Sequence, residues 1–266
     1  MNCKICSGKT AFLRKMLVLN KYNASYFKCD TCGYIHTEDP YWLEEAYQEP
    51  INILDTGIVA RNISLSKTIA SIIYFLFNRN ASFLDYAGGH GLLTRMMRDI
   101  GFYFYWHDPF TKNLFARGFE SIDSVDFELI TSIESFEHFV NPLLEIEKIL
   151  GISKNILFTT ELIPKLEVEN WWYYGQYHGQ HVSFYSMRTL TFIASIYGLN
   201  LNSDGKRVHL LTEKKINSKL FKLLSSRLNK LTFSYISRKM KSKTLDDHMA
   251  LRRVSYEDII RSSNIF

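Results

Sequence analysis

The sequence predicts an α/β fold: a doubly wound parallel sheet, preceded by a small cysteine-bearing ribbon and followed by a helical extension. Three observations carry this. Apolar strand-like runs alternate with segments of helical period between residues 55 and 212. A glycine-rich turn, Gly88-Gly89-His90-Gly91, joins one such strand to one such helix. Two Cys-x-x-Cys pairs lie ahead of the first long helix.

Taken in order, Tyr41 to Tyr47 reads as a short acidic, aromatic helix in a Pro-bounded linker. Residues 55–78 read as a long helix, with Ile58, Leu65, Ile69, Ile72, Ile73 and Leu76 recurring at helical spacing. Ser82 to Ala87 is a buried strand. Leu92 to Ile100 is a helix stopped by Gly101. Phe102 to Trp106 is an aromatic strand ending at Asp108-Pro109. Phe127 to Thr131 and Asn155 to Thr160 are strands separated by the helix Pro142 to Leu150. Thr189 to Tyr197 is a helix, and Val208 to Thr212 a late strand. The predicted domains are a ribbon over 1–36, an α/β domain over 37–212 and a basic helical extension over 213–266.

At 266 residues, and roughly 150 per domain, the chain accommodates one large domain with attachments. Its 46% hydrophobic and 22% charged content excludes wholesale disorder, and 5 prolines with 13 glycines exclude a collagen-like chain. The net charge of +5 hides an asymmetry. Residues 206–266 carry 15 Lys/Arg against 5 Asp/Glu, and residues 1–205 carry 17 against 22. No basic segment followed by a long apolar run opens the sequence. The most apolar stretch, Ile69 to Phe77, is far short of the ~20 residues of a membrane span. A soluble, cytoplasmic protein with reduced cysteines is expected.

Cys3, Cys6, Cys29 and Cys32 are the only cysteines, in two pairs with 22 residues between them. Each pair sits in a short turn that aims two thiolates at one tetrahedral ion, the pattern of a structural zinc ribbon. Four sulfur ligands leave no open position for catalysis. The competing reading is a pair of redox dithiols. Arg14, Lys15, Lys21 and Lys28 between the pairs are a weak nucleic-acid signal.

In Phe83-Leu84-Asp85-Tyr86-Ala87-Gly88-Gly89-His90-Gly91 a strand runs through small residues into a helix. Glycines let the backbone approach a ligand closely, and a helix N-terminus favours a negative group. Asp108 ends the next strand, placed to accept hydrogen bonds from ribose hydroxyls. No Lys-Ser/Thr follows the glycines, which excludes a nucleoside-triphosphate P-loop.

At these residues the chain resembles the class I S-adenosylmethionine-dependent methyltransferases, in a bacterial subgroup associated with sugar and polysaccharide pathways, some members of which carry an N-terminal zinc module. The family's Asp-x-Gly-x-Gly-x-Gly motif stands here as Asp85 to Gly91 with Ala87 in the first glycine position. Its fourth-strand motif, ending Glu-x-x-x-Glu-His, stands as Phe127 to His138 with Glu134-x-x-Glu137-His138. Gln180-His181-Val182-Ser183-Phe184-Tyr185-Ser186 is similar to a further segment, Glu-His-x-x-x-Tyr-Ser. The resemblance covers about residues 80–212 and implies a Rossmann-like methyltransferase sheet. It places S-adenosylmethionine at Asp85, Ala87, Gly88, Gly89, Gly91, Asp108, Pro109, Ser132 and Glu134. The chain departs where the family has an acidic adenine contact after its third strand. Only 18 residues separate Asp108 from Phe127, and Asp123 and Asp126 lie in no motif.

Methyl transfer needs in-line placement of the acceptor and removal of its proton, a task suited to histidine near neutral pH. His181 is the favoured base, with His178 and His138 as alternatives or substrate contacts. Each has a structural role as its competing reading. Seven aromatics between Trp171 and Tyr185 suggest a water-excluding lid that stacks on a sugar face. Glu137 reads as structural.

Ile216 to Leu231 reads as an amphipathic basic helix, packed on the body or touching a membrane surface or lipid-linked glycan. The expected activity is methylation of a sugar in a nucleotide-sugar, polysaccharide or related glycan precursor, on oxygen in preference to carbon. The alternatives are an RNA or DNA methyltransferase, from which the Asn/Asp-Pro-Pro-Tyr/Phe motif is missing, and a non-catalytic zinc-ribbon module. Nucleic acid is not an expected partner.

Overall fold

The computed structural model describes residues 2–48, 51–122, 124–166, 168–226 and 229–252. In chain order, the ribbon region holds β1 (Thr10–Val18), β2 (Tyr22–Cys29), β3 (Ile35–Thr37) and the short α1 (Leu43–Ala46). There follow α2 (Ile58–Leu76), β4 (Ser82–Tyr86), α3 (Leu92–Ile100), β5 (Tyr103–His107), β6 (Phe127–Ser132), α4 (Pro142–Ile152) and β7 (Ile156–Thr159). The chain continues through β8 (Ser183–Phe184), α5 (Met187–Ile196), β9 (Asn200–Ser203) and β10 (Val208–Thr212) to α6 (Ser218–Ser225), α7 (Asn229–Lys239) and α8 (Thr244–Leu251). These elements fall into two compact units, residues 2–56 with 132–218 and residues 57–131 with 219–252.

In the unit containing the glycine turn, β4 pairs in parallel with β5 on one side and β6 on the other. Phe83, Leu84, Phe104, Leu129 and Ile130 are buried, the near-continuous apolar reading of strands covered on both faces. Beyond β5 the expected third strand shrinks to one parallel bridge between Trp106 and Glu120. The Trp106 amide donates to the Phe119 carbonyl at 2.8 Å and its carbonyl accepts from Ser121 at 2.8 Å. The short spacing after Asp108 thus leaves room for a bridge but not a strand. Asp123 lies outside the described residues.

The segment expected as one helix over 216–231 is two helices, α6 and α7, with Arg227 and Leu228 outside the described residues. Beside α2, Asn229 Nδ2 donates to Thr68 Oγ1 at 2.6 Å, and the Thr232 and Ser71 hydroxyls meet at 2.7 Å. Asp247 of α8 accepts two bonds from Arg98, at 2.8 and 2.6 Å, both side chains being buried. Charge-assisted bidentate pairing of this kind is geometrically demanding and strong.

In the other unit the late strands are antiparallel, which corrects the expectation of a wholly parallel sheet. β10 runs antiparallel to both β7 and β9. The cause is local: β9 returns through a tight turn in which Asp204 Oδ1 accepts from the amides of Lys206, Arg207 and Val208 at 2.7, 2.8 and 3.1 Å. The same unit has a second sheet in the order β1-β2-β3-β8. The ribbon is therefore completed by β8, a strand 146 positions after β3 ends and absent from the expected elements. Its core joins Met16, Val18, Tyr26, Ile35 and Trp42 to Tyr173, Tyr174 and Phe184. Among the described residues no helix is long and apolar enough to cross a membrane.

Candidate functional site

The glycine turn is pinned from several sides. Ala87, Gly89 and Gly91 take positive φ values of 57°, 53° and 83°. Gly88 donates to the His107 carbonyl at 3.2 Å, and Gly91 to the Gly88 carbonyl at 3.0 Å. Trp106 Nε1 and Thr111 Oγ1 both donate to the Gly89 carbonyl, at 2.8 and 2.7 Å. A Cβ on Gly88 would lie 2.8 Å from Asp85 Oδ2, and one on Gly91 2.6 Å from Asn113 Oδ1. A Cβ on Gly89 would meet nothing within 4 Å. The turn is packed underneath and open at Gly89, the form of a backbone cradle at the start of α3.

The two acids of this site play unlike parts. Asp85 is buried below the turn, its Oδ2 accepting from Thr94 Oγ1 and its Oδ1 from Thr131 Oγ1, each at 3.0 Å. Burial pushes its carboxyl up to about 7, against those two hydrogen bonds. Asp108 accepts from the Gly89 amide at 2.9 Å through Oδ2 and from the Phe110 and Thr111 amides at 2.8 and 3.0 Å through Oδ1. A carboxylate has about four acceptor positions, so one is left for a ligand hydroxyl. Pro109 and Phe110 beyond it are exposed.

In the other unit, Ser132 is buried, with its hydroxyl 2.6 Å from that of Ser135. Glu134 has a positive φ of 52°, a conformation strained for a non-glycine residue and found at ligand sites. Its amide donates to Thr159 Oγ1 at 2.9 Å, and its Oε1 accepts from that hydroxyl at 2.6 Å and pairs with Arg207 NH2 at 3.2 Å. Arg207 was invisible in the sequence because it joins Glu134 only through the antiparallel β10.

The three histidines come together. His181 lies with its ring centroid 5.0 Å from that of His138 and 4.6 Å from that of His178. The Tyr173 ring is 4.6 Å away. Backbone groups set their tautomers. His181 Nδ1 meets the Tyr173 carbonyl at 2.6 Å and His138 Nδ1 meets the Gln180 carbonyl at 3.0 Å. A carbonyl only accepts, so His181 carries its proton on Nδ1 and its lone pair on Nε2, while His138 Nδ1 also lies 2.9 Å from the Tyr47 hydroxyl. His178 is reversed: its Nδ1 accepts from the Gln180 amide at 3.1 Å, which puts its proton on Nε2. His181 is thus arranged to take a proton and His178 to donate a hydrogen bond. Burial, then the neighbouring His138, holds His178 down at about 4. Burial also lowers His138.

Glu137 belongs to the same cluster. It is fully buried, and the Tyr173 and Thr160 hydroxyls face its carboxylate. Burial, reinforced by the charge of Glu134, pushes it up to about 8. The aromatic segment is mostly core rather than lid: Tyr173, Tyr174, Phe184 and Tyr185 are buried, and Trp172 and Tyr177 are exposed. It turns inward because the ribbon supplies the apolar surface that covers it.

The four cysteine sulfurs lie within 4.8 Å of one another, Cys3 3.6 Å from Cys32 and Cys6 3.4 Å from Cys29. Tetrahedral zinc–sulfur bonds of about 2.3 Å place sulfurs roughly 3.8 Å apart, so the set fits such an ion. The Cys32 thiol pulls Cys3 down to about 5, and Cys3 pushes Cys32 up. Four thiols this close cannot all ionise without a cation between them.

Residues 61–203, more than half of the chain, match the family described as "Methyltransferase domain". The chain belongs to that family. No curated protein matches it. Among solved structures it is similar to OxaC in complex with SAH and oxaline, with 16% identity over 56% of this chain and 47% of that one and a TM-score of 0.43. It is also similar to human N-acetylserotonin methyltransferase in complex with SAM, at 13% identity over 65% and 66% and a TM-score of 0.41. The mitomycin 7-O-methyltransferase MmcR gives 13% identity over 65% and 60% and a TM-score of 0.41. The chain spans about half the length of OxaC.

Proposed function

We propose that the protein transfers the methyl group of S-adenosylmethionine to a sugar hydroxyl of a nucleotide-sugar, polysaccharide or related glycan precursor. The observation that carries the cofactor assignment is the pinned turn open at Gly89, with one acceptor position left on Asp108. Gly88, Gly89, Gly91 and Asp108 would hold the nucleoside end. Ala87 and Pro109 flank the same turn, and Ser132 and Glu134 follow β6 in the chain. Asp85 acts from beneath, as a brace. S-adenosylmethionine, when bound, supplies an electrophilic methyl group on a sulfonium.

The acceptor assignment rests on the histidine cluster. His181 carries a lone pair on Nε2, and its ring centroid is 4.6 Å from that of His178, whose Nε2 donates, a pairing suited to a hydroxyl that is deprotonated as it attacks. Trp172 and Tyr177, exposed on the same segment, offer rings to a sugar face. A zinc ion on the four cysteines would be structural. Lys21, one of the ribbon's basic residues, is tied to Glu45 at 2.6 Å, which speaks against the ribbon gripping phosphates. Leu220, Leu223 and Leu231 stay exposed in the basic extension and suit a lipid-linked acceptor.

Incubation with S-adenosylmethionine and a panel of nucleotide sugars and glycans, read by mass spectrometry, tests the acceptor class. One methyl gained by a sugar is the expected result, and methylation confined to RNA or DNA would refute it. His181→Ala should lose most turnover while S-adenosylmethionine affinity stays intact. A fully active variant would remove His181 as base.

A further inference from the structure

α7 reverses the usual order of a surface helix, which buries its apolar stripe and exposes its polar one. Toward α2 it turns Asn229 and Thr232, whose side chains bond to Thr68 and Ser71. Of Leu231, Phe233, Tyr235 and Ile236, only Ile236 is buried. Leu231 and Tyr235, one turn apart on the outer side, are 74% and 49% exposed.

The end of α2 extends this face. α7 runs beside α2 in the same direction: Asn229 meets Thr68, Thr232 meets Ser71, and the Tyr235 ring centroid lies 6.0 Å from that of Tyr74. Phe75, its ring centroid 5.1 Å from that of Tyr74, is exposed as well. Cations border these side chains. Arg79 lies 4.7 Å from the Tyr74 ring centroid and Lys239 5.9 Å from that of Tyr235. Lys230 and Arg238 of α7 are exposed. Neither α2 nor α7 contains an acidic residue, and from Lys214 to Leu245 the chain has ten Lys/Arg and no Asp/Glu. A face that served only solubility would mix both signs of charge.

We propose that this face docks on an anionic lipid bilayer, with α7 lying in the plane of the headgroups. Charge complementarity selects the occupant. The cations meet the lipid phosphates while Leu231 and the aromatic rings enter the acyl boundary, as in interfacial amphipathic helices. Tyrosine suits that depth because one end of its ring is apolar and the other wet. Nucleic acid would satisfy the cations and leave Leu231 in water. The docking face is independent of the acceptor: it stands whether or not the methylated molecule carries a lipid.

Co-sedimentation of the full chain with vesicles tests it. The expected result is binding to mixed phosphatidylglycerol–phosphatidylcholine vesicles at least about tenfold tighter than to phosphatidylcholine alone, and weakened by salt. Lys239→Gln should weaken that binding about fivefold. Leu231→Ser combined with Tyr235→Ser should weaken it about tenfold or more. These side chains are exposed, so urea unfolding of the variants should match that of the wild type. No binding to the anionic vesicles, or equal binding by the folded double variant, would overturn the proposal. So would single-stranded RNA held more tightly than the vesicles, or a dimer of the chain that the double variant dissociates.

Discussion

The Thr189 hydroxyl donates to the Cys32 carbonyl at 2.9 Å, joining the first turn of α5 to the second cysteine knuckle. Ser186 Oγ donates to the same carbonyl at 3.0 Å while accepting from the Thr189 amide at 3.1 Å, so the cap of α5 and the knuckle share their polar groups. Around this joint β3 pairs with β8, the Thr37 amide donates to Val182 at 3.1 Å, and Trp42 Nε1 donates to Gly179 at 2.8 Å. The ribbon therefore braces both flanks of His181.

The proposed zinc ion on the four cysteines predicts that its loss loosens that segment. In the Cys29→Ser variant, or after chelation, amide hydrogen exchange at Val182–Tyr185 should speed up at least about tenfold, the signature of a local loss of roughly 1.4 kcal/mol or more. Exchange unchanged from the zinc-loaded protein would show that the ribbon does not hold the segment.

Two glycines of one turn should respond differently to alanine. Gly91→Ala forces a Cβ to within 2.6 Å of Asn113 Oδ1 at φ 83°, and should unfold at clearly lower denaturant. Gly89→Ala meets no neighbour and carries only the backbone cost of a positive φ, about 1–2 kcal/mol. Its methyl would stand where the ligand approaches, so calorimetry should show S-adenosylmethionine affinity falling about tenfold or more. Normal affinity in Gly89→Ala would place the cofactor elsewhere.

Arg98 and Asp247 should be costly to separate. Both are buried, and Arg98 also donates to the Phe104 carbonyl at 2.8 Å and lies 3.6 Å from the Phe119 ring centroid. Asp247→Ala leaves a buried guanidinium uncompensated, and a loss of about 3–5 kcal/mol is expected in urea unfolding. A loss below about 1 kcal/mol would mean that α8 does not dock through this pair.

Stability should fall in two stages on acidification. Burial holds His209 down at about 4, between the Thr160 carbonyl at 3.0 Å and Ser203 Oγ at 2.9 Å. The unfolded imidazole titrates near 6.5, so the unfolded chain takes up the proton first. Between about pH 6.5 and 4 this group alone removes on the order of 2–3 kcal/mol. For Asp247, burial raises the carboxyl but the Arg98 and Arg95 contacts outweigh it, and the net position is below the usual range. Its contribution is present above about pH 4 and is lost as pH falls through that lowered value. Urea unfolding of His209→Gln should show a flatter slope between pH 6.5 and 4; an unchanged slope would contradict the assignment.

What the sequence made legible was local. The four cysteines, the strand–glycine–helix turn and Asp108 announce themselves by spacing, and each lies where a short stretch of chain determines its geometry. His138 and His181 stood at motif positions, yet only the fold sets them with ring centroids 5.0 Å apart. β8 is two residues long and depends on a partner strand from the ribbon, so no periodicity betrayed it. The same holds for Arg207, brought to Glu134 by an antiparallel strand, and for Glu137, whose full burial is a property of packing alone. The aromatic run from Trp171 to Tyr185 looked like a cover because its apolar partner surface lies more than a hundred residues earlier.

The central claim is that the Gly89 turn and Asp108 hold S-adenosylmethionine. Isothermal titration of the wild-type chain and of Asp108→Ala tests it most directly. The expected result is one site per wild-type chain, with affinity at least about tenfold weaker in a variant that remains folded. No heat of binding from the wild-type chain, or equal affinity in the two, would contradict it.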